Sequence, residues 1–72
     1  MKLPRDVSGA QTVRALQRLG FVFDRQRGSH VRMEKGALRV TVPAHGSIAP
    51  GTLQSLLKQA RVSVEEFVEA LR

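Results

Sequence analysis

Between Gly20 and Pro43 apolar side chains recur at every second residue, and glycine-containing breaks cut the run into three short pieces. The pieces are Phe21-Val22-Phe23-Asp24-Arg25-Gln26, His30-Val31-Arg32-Met33 and Leu38-Arg39-Val40-Thr41-Val42. Period two is the spacing of a strand whose faces meet different surroundings. The breaks, Arg27-Gly28-Ser29 and Glu34-Lys35-Gly36-Ala37, are short enough for hairpins. Three such strands in succession predict an antiparallel meander. Each carries a single apolar face: Phe21 and Phe23, then Val31 and Met33, then Leu38, Val40 and Val42. A sheet of this kind has to be covered on one side and stays wet on the other.

The flanks supply the cover. Ser8 is a candidate N-cap for a helix over Gly9 to Leu19, with Ala10, Val13 and Leu16 inward, joined by Ala15 and Leu19. Gly20 fits the left-handed position that ends many helices. Pro43 cannot donate to a ladder and closes the third strand, leaving Pro43 to Ser47 as a loop. Pro50, Gly51 and Thr52 read as the entry to a second helix from Thr52 to about Arg61, with Leu53, Leu56, Leu57 and Ala60 as its stripe. Ser63 and Glu66 have capping-box spacing, and Val62 with Phe67 has staple spacing, so a third short helix follows. The predicted fold class is α+β: α-β-β-β-α with a short extra C-terminal helix, a three-stranded antiparallel sheet and helices on one face. Residues 1–72 are expected to form one domain.

Charge narrows the partner. Residues 1–61 hold eleven Lys and Arg against three acids, whereas the last eleven residues hold Arg72 against Glu65, Glu66 and Glu69. A basic body points to a polyanion, with nucleic acid the leading class. Cysteine is absent, so disulfides and thiolate metal sites are excluded. Two histidines without a paired carboxylate make a poor metal site, and no metal or cofactor is expected. The polar start and the lack of a long apolar run predict a cytoplasmic protein with no membrane partner.

The wet face is expected to carry His30, Arg32, Arg39 and Thr41. Imidazole both takes and gives a proton near neutrality, and arginine presents a planar fork to phosphate oxygens. These are the parts needed to cleave RNA without metal, with His30 as general acid or base. Arg27, Arg32 and Arg39 would hold phosphate, helped by donors from Gly28 and Ser29. His45, on the loop leaving the third strand, is expected to swing toward the same face. The plainer reading of His30 is an exposed strand histidine with no role, and that of the arginines is solvated surface. Gly20-Phe21-Val22-Phe23 is a fragment of an RRM-like pattern, but the predicted strand turns both rings to the core rather than to bases. A non-catalytic RNA-binding module, or a basic face for an acidic protein, would use the same charges.

A capped helix ending in Leu16-Gln17-Arg18-Leu19-Gly20-Phe21 is followed by Arg27-Gly28-Ser29-His30, Val40-Thr41-Val42-Pro43-Ala44-His45, Gly51-Thr52-Leu53 and Ser63-Val64-Glu65-Glu66-Phe67. In this order the blocks resemble the HicA-type toxins of toxin–antitoxin pairs along nearly the whole chain. The resemblance implies a double-stranded-RNA-binding-domain-like fold, an endoribonuclease acting on mRNA independently of the ribosome, and a HicB-type antitoxin that covers the active site. It puts the catalytic histidine on His30, the glycine before it on Gly28 and the loop histidine on His45. Arg61 departs from the pattern, which usually has glycine between the last two helices.

Overall fold

The computed structural model describes residues 2–72. The elements run α1 (Gly9–Arg18), β1 (Val22–Arg27), β2 (His30–Lys35), β3 (Leu38–Pro43), α2 (Pro50–Ala60) and α3 (Val64–Leu71). The strands form one antiparallel sheet in the order β1-β2-β3. This is the α+β fold that the sequence pattern predicts, of the double-stranded-RNA-binding-domain type that the family resemblance implies.

Both hairpins close on two residues, between Arg27 and His30 and between Lys35 and Leu38. Gly28 and Gly36 take the first central position at φ 58° and 59°, and the residue after each has ordinary negative φ. That is the type II′ pattern, whose twist matches the strands it joins.

Two helices begin with complete capping boxes. The Ser63 hydroxyl accepts from the Glu66 N–H at 3.1 Å while the Glu66 carboxylate accepts from the Ser63 N–H at 2.9 Å. Ser8 and Gln11 make the same reciprocal pair at 3.0 and 2.8 Å. Arg18 then pins α1 to α3: its guanidinium donates to the carbonyls of Ala70 and Arg72, both at 2.6 Å. Those carbonyls stand at the negative end of α3, where a cation is favoured.

Leu16, Met33, Val42, Leu53 and Phe67 are the large apolar side chains at the centre of the core. α1 packs on α3, and α2 lies on β3. Val31 and Met33 of β2, with Val40 and Val42 of β3, point under the helices and alternate with exposed residues. The loop before α2 is stitched to the N-terminal segment by Ile48 N–H to Val7 C=O and Gly9 N–H to His45 C=O, both 2.8 Å.

Three expectations need correction. α2 starts at Pro50, with proline in the first turn, where its missing N–H costs nothing. In α1 the fully buried polar residue is Thr12, whose hydroxyl donates to the Ser8 carbonyl, and Ala10 is exposed. Phe21 is buried, but Phe23 is 51% exposed and every residue of β1 is exposed. β1 is an edge strand that the helices leave uncovered, and it carries a bulge just past Phe23. Phe23 pairs with Met33 and Arg25 pairs with Arg32, so Asp24 is an extra residue on the edge strand.

Candidate active site

The bulge decides which side chains of β1 reach the wet face. A regular strand would put Arg25 and Arg27 on the same side as Phe23, under the helices. One inserted residue reverses the alternation, so Arg25 stands opposite Arg32 and Arg27 stands opposite His30. On the other side of β2, Thr41 pairs with Arg32 and Pro43 pairs with His30. Arg25, Arg27, His30, Arg32 and Thr41 together line one open cleft on the helix-free face.

The hairpin that carries the cleft is held at its tip. The Ser29 carbonyl accepts from the Ala44 N–H at 2.6 Å, and the Gln26 side-chain amide donates to the Gly28 carbonyl at 3.1 Å. A Cβ added to Gly28 would meet no protein atom, so within the protein the glycine answers only to the turn's positive φ. His30 follows one residue after Ser29 and inherits its position from this turn.

No carboxylate lines the cleft. Among the described residues only Arg25 and Arg72 have a carboxylate within reach, and the Arg25–Asp24 contact is 3.6 Å long and largely solvated. Such a pair contributes little. Like charges directly opposite each other weaken a sheet, by roughly 0.2–1 kcal/mol on the scale of cross-strand pairs. Arg25 facing Arg32 is therefore a local cost that a bound polyanion would relieve. Chemically the cleft offers one proton-transferring imidazole, three forked cations and one hydroxyl.

Of the residues picked out by the sequence, Arg27, His30 and Arg32 come together. Gly28 and Ser29 form the turn at the end of the cleft without lining it. Arg39 stands one step further along, across from Glu34, in an adjoining depression that shares Arg32 and Thr41 with the cleft and also holds Asp24, Glu34 and Gln59. His45 does not join them. It lines a groove against α1 with Phe23 and Val31, on the helix side of the sheet, so the expectation that it swings toward His30 is corrected. Its backbone carbonyl is held by Gly9, which fixes the loop there. Arg25 is the cleft residue that sequence reasoning left outside the expected site. Its signal, an Asp-Arg pair breaking the period after Phe23, is legible only as a bulge.

No three His, Cys, Asp or Glu side chains converge among the described residues. No helix among them is long and apolar enough to cross a membrane. Comparison with curated proteins gives no match. Residues 9–62 match the family model described as the HicA toxin of bacterial toxin–antitoxin systems. That span holds α1, all three strands, α2 and every residue of the cleft. The chain belongs to the HicA toxin family.

Proposed function

We propose that this toxin acts as an endoribonuclease on mRNA in the cytoplasm, with His30 as the proton-transferring group. The observation that supports the reading most is the stacking of Arg27/His30 and Arg25/Arg32 as successive same-face pairs in an open cleft whose lining holds no acid. A strand phosphate seated among Arg25, Arg27 and Arg32 puts its ester oxygens beside the imidazole. The ribose 2′-oxygen attacks phosphorus and its proton is taken up by the base. The phosphorus–5′-oxygen bond breaks and the leaving oxygen gains a proton. The guanidiniums hold the charge that builds on the phosphoryl oxygens. His30 serves one of the two proton transfers and water serves the other, since His45 lies on the far side of the sheet. The products are a 2′,3′-cyclic phosphate and a 5′-hydroxyl.

The same cleft suits inhibition by a HicB-type antitoxin that lays acidic side chains over the arginines and excludes RNA by occupancy. A second reading, an RNA-binding module without catalysis, is favoured by one feature: the cleft holds a single imidazole and no carboxylate to share the chemistry. RNA incubated with the purified protein in EDTA separates the two. Cleavage to cyclic-phosphate ends that is lost in His30→Ala supports the nuclease. Intact RNA, or cleavage indifferent to His30→Ala, sinks it. His30→Ala is expected to keep the fold, because an outward strand position contributes little packing.

A further inference from the structure

We propose that the apolar groove between α1 and β1 receives an unpaired base of the same RNA strand whose phosphate lies beside His30. This rests on RNA being the substrate. The groove is walled by Ala10 and Val13 on α1 and by Phe23 and Gln26 on β1, with Val31 as its floor and His45 at one end. It exists because α1 presents small side chains to an edge strand whose residues are all exposed. Its volume of about 550 Å³ is that of a small-molecule site.

Several observations favour a base over other occupants. Phe23 faces the helix side yet is 51% exposed, so an aromatic ring stands in the groove with room beside it. Rings in this setting are stacking platforms for bases. The Gln26 amide nitrogen is committed to the Gly28 carbonyl, and no described donor reaches its oxygen, which is left to accept from a base edge. The basic side chains lining the groove are Arg14 and His45, and no acid lines it, so flanking phosphates are not repelled.

Continuity with the cleft is the strongest link. Arg25, Gln26 and Arg27 are consecutive, and they face the cleft, the groove and the cleft again. Only the width of β1 separates the two sites, and among the described residues no strand lies beyond β1. A single strand of RNA crossing that edge puts a phosphate on one side and the neighbouring base on the other.

The test uses a short single-stranded 2′-O-methyl RNA, which lacks the attacking hydroxyl and is not consumed. Phe23→Ala is expected to weaken its binding on the order of ten-fold or more, while the salt dependence set by the arginines stays the same. Phe23→Trp is expected to restore affinity, which guards against a folding defect in the alanine variant. An oligonucleotide carrying abasic sites in place of its bases is expected to bind wild type and Phe23→Ala alike. Wild-type affinity in Phe23→Ala, with Arg27→Ala still impaired, overturns the base groove and leaves the proposed substrate standing. Loss of binding to the cognate antitoxin alone in Phe23→Ala overturns it in favour of a protein anchor. No binding of RNA by the wild-type protein at low salt removes the RNA reading itself.

Discussion

Arg25 faces Arg32 across the β1–β2 ladder, and the next pair on the same face is Arg27 with His30. Both pairs exist because Asp24 is inserted as a bulge. Without it the first strand would send its two arginines beneath the helices. The bulge thus links a local irregularity to the whole electrostatic character of the cleft.

Replacing Arg32 should separate stability from function. Arg32→Thr removes the like-charge pair and places a second threonine opposite Thr41, a favourable cross-strand partner. Stability is expected to rise by a few tenths of a kcal/mol, up to about 1. RNA affinity is expected to fall, and the slope of log affinity against log salt to shrink by about 0.7 for one lost phosphate contact on a single strand. Urea melts and binding titrations at several salt concentrations check both. A variant that loses stability and keeps its salt slope contradicts a phosphate role for Arg32.

Much of the fold was legible from periodicity alone. β2 and β3 alternate as the sequence predicts, and Ser63–Glu66 forms the capping box its spacing announces. The edge strand was not legible, because a bulge leaves the residue types unchanged and only resets which face they meet. That reset puts Arg25 in the cleft; Phe23, ahead of the bulge, keeps the helix-side face that periodicity predicts but lies on an edge strand left uncovered. α2 starts two residues earlier than the expected Thr52 because Pro50 and Gly51, which read as the entry to the helix, form its first turn. His45 was assigned to the wrong side because no spacing rule tells where a loop carries its side chain. Its position depends on a backbone hydrogen bond to Gly9 that the chain makes only once folded.

That contact makes Gly9 and Gly28 unequal. A Cβ on Gly9 would collide with the Pro43 carbonyl oxygen and come within 2.8 Å of the Ala44 Cα, all in backbone that cannot step aside cheaply. Gly9→Ala is expected to cost about 2–4 kcal/mol, combining overpacking with a strained hydrogen bond to His45. Gly28→Ala meets empty space and bears only the positive φ, about 1–2 kcal/mol. Urea midpoints at unchanged m-value measure both, and equal losses would contradict the close approach at Gly9.

Glu66, on α3, does not line the cleft. Glu66 is held below its ordinary 4.5, first by the Ser63 N–H donated to its carboxylate, then by the Ser63 hydroxyl, with Lys35 adding a smaller pull and desolvation opposing. A lowered folded-state value means its contribution is fully present above the unfolded value and is lost as pH falls through the folded one. Glu66→Gln keeps an acceptor for the capping box and removes the titration. Thermal melts across the acid range should show a shallower fall below pH 4.5 in the variant. Parallel curves would mean that another group governs the acid limb.

Arg61 closes α2 in the way Gly20 closes α1. After α1, the Gly20 N–H donates to the Gln17 carbonyl and the Phe21 N–H to the Leu16 carbonyl; after α2, Arg61 and Val62 repeat the pattern onto Lys58 and Leu57. The motif demands positive φ at its turning residue, met by glycine at 99° and by arginine at 56°. A side chain in the left-handed region costs about 1–2 kcal/mol, partly offset in a glycine variant by the entropy of a freer unfolded chain. Arg61 is exposed, and among the described residues its side chain makes no hydrogen bond or ion pair that would be lost. Arg61→Gly is therefore expected to stabilise the protein by about 0.5–1 kcal/mol, a rise of a few degrees in Tm for a domain of this size. Cleavage should be unchanged, since the junction lies behind the sheet from His30. A drop in Tm would mean that Arg61 contributes an interaction worth more than the strain it bears.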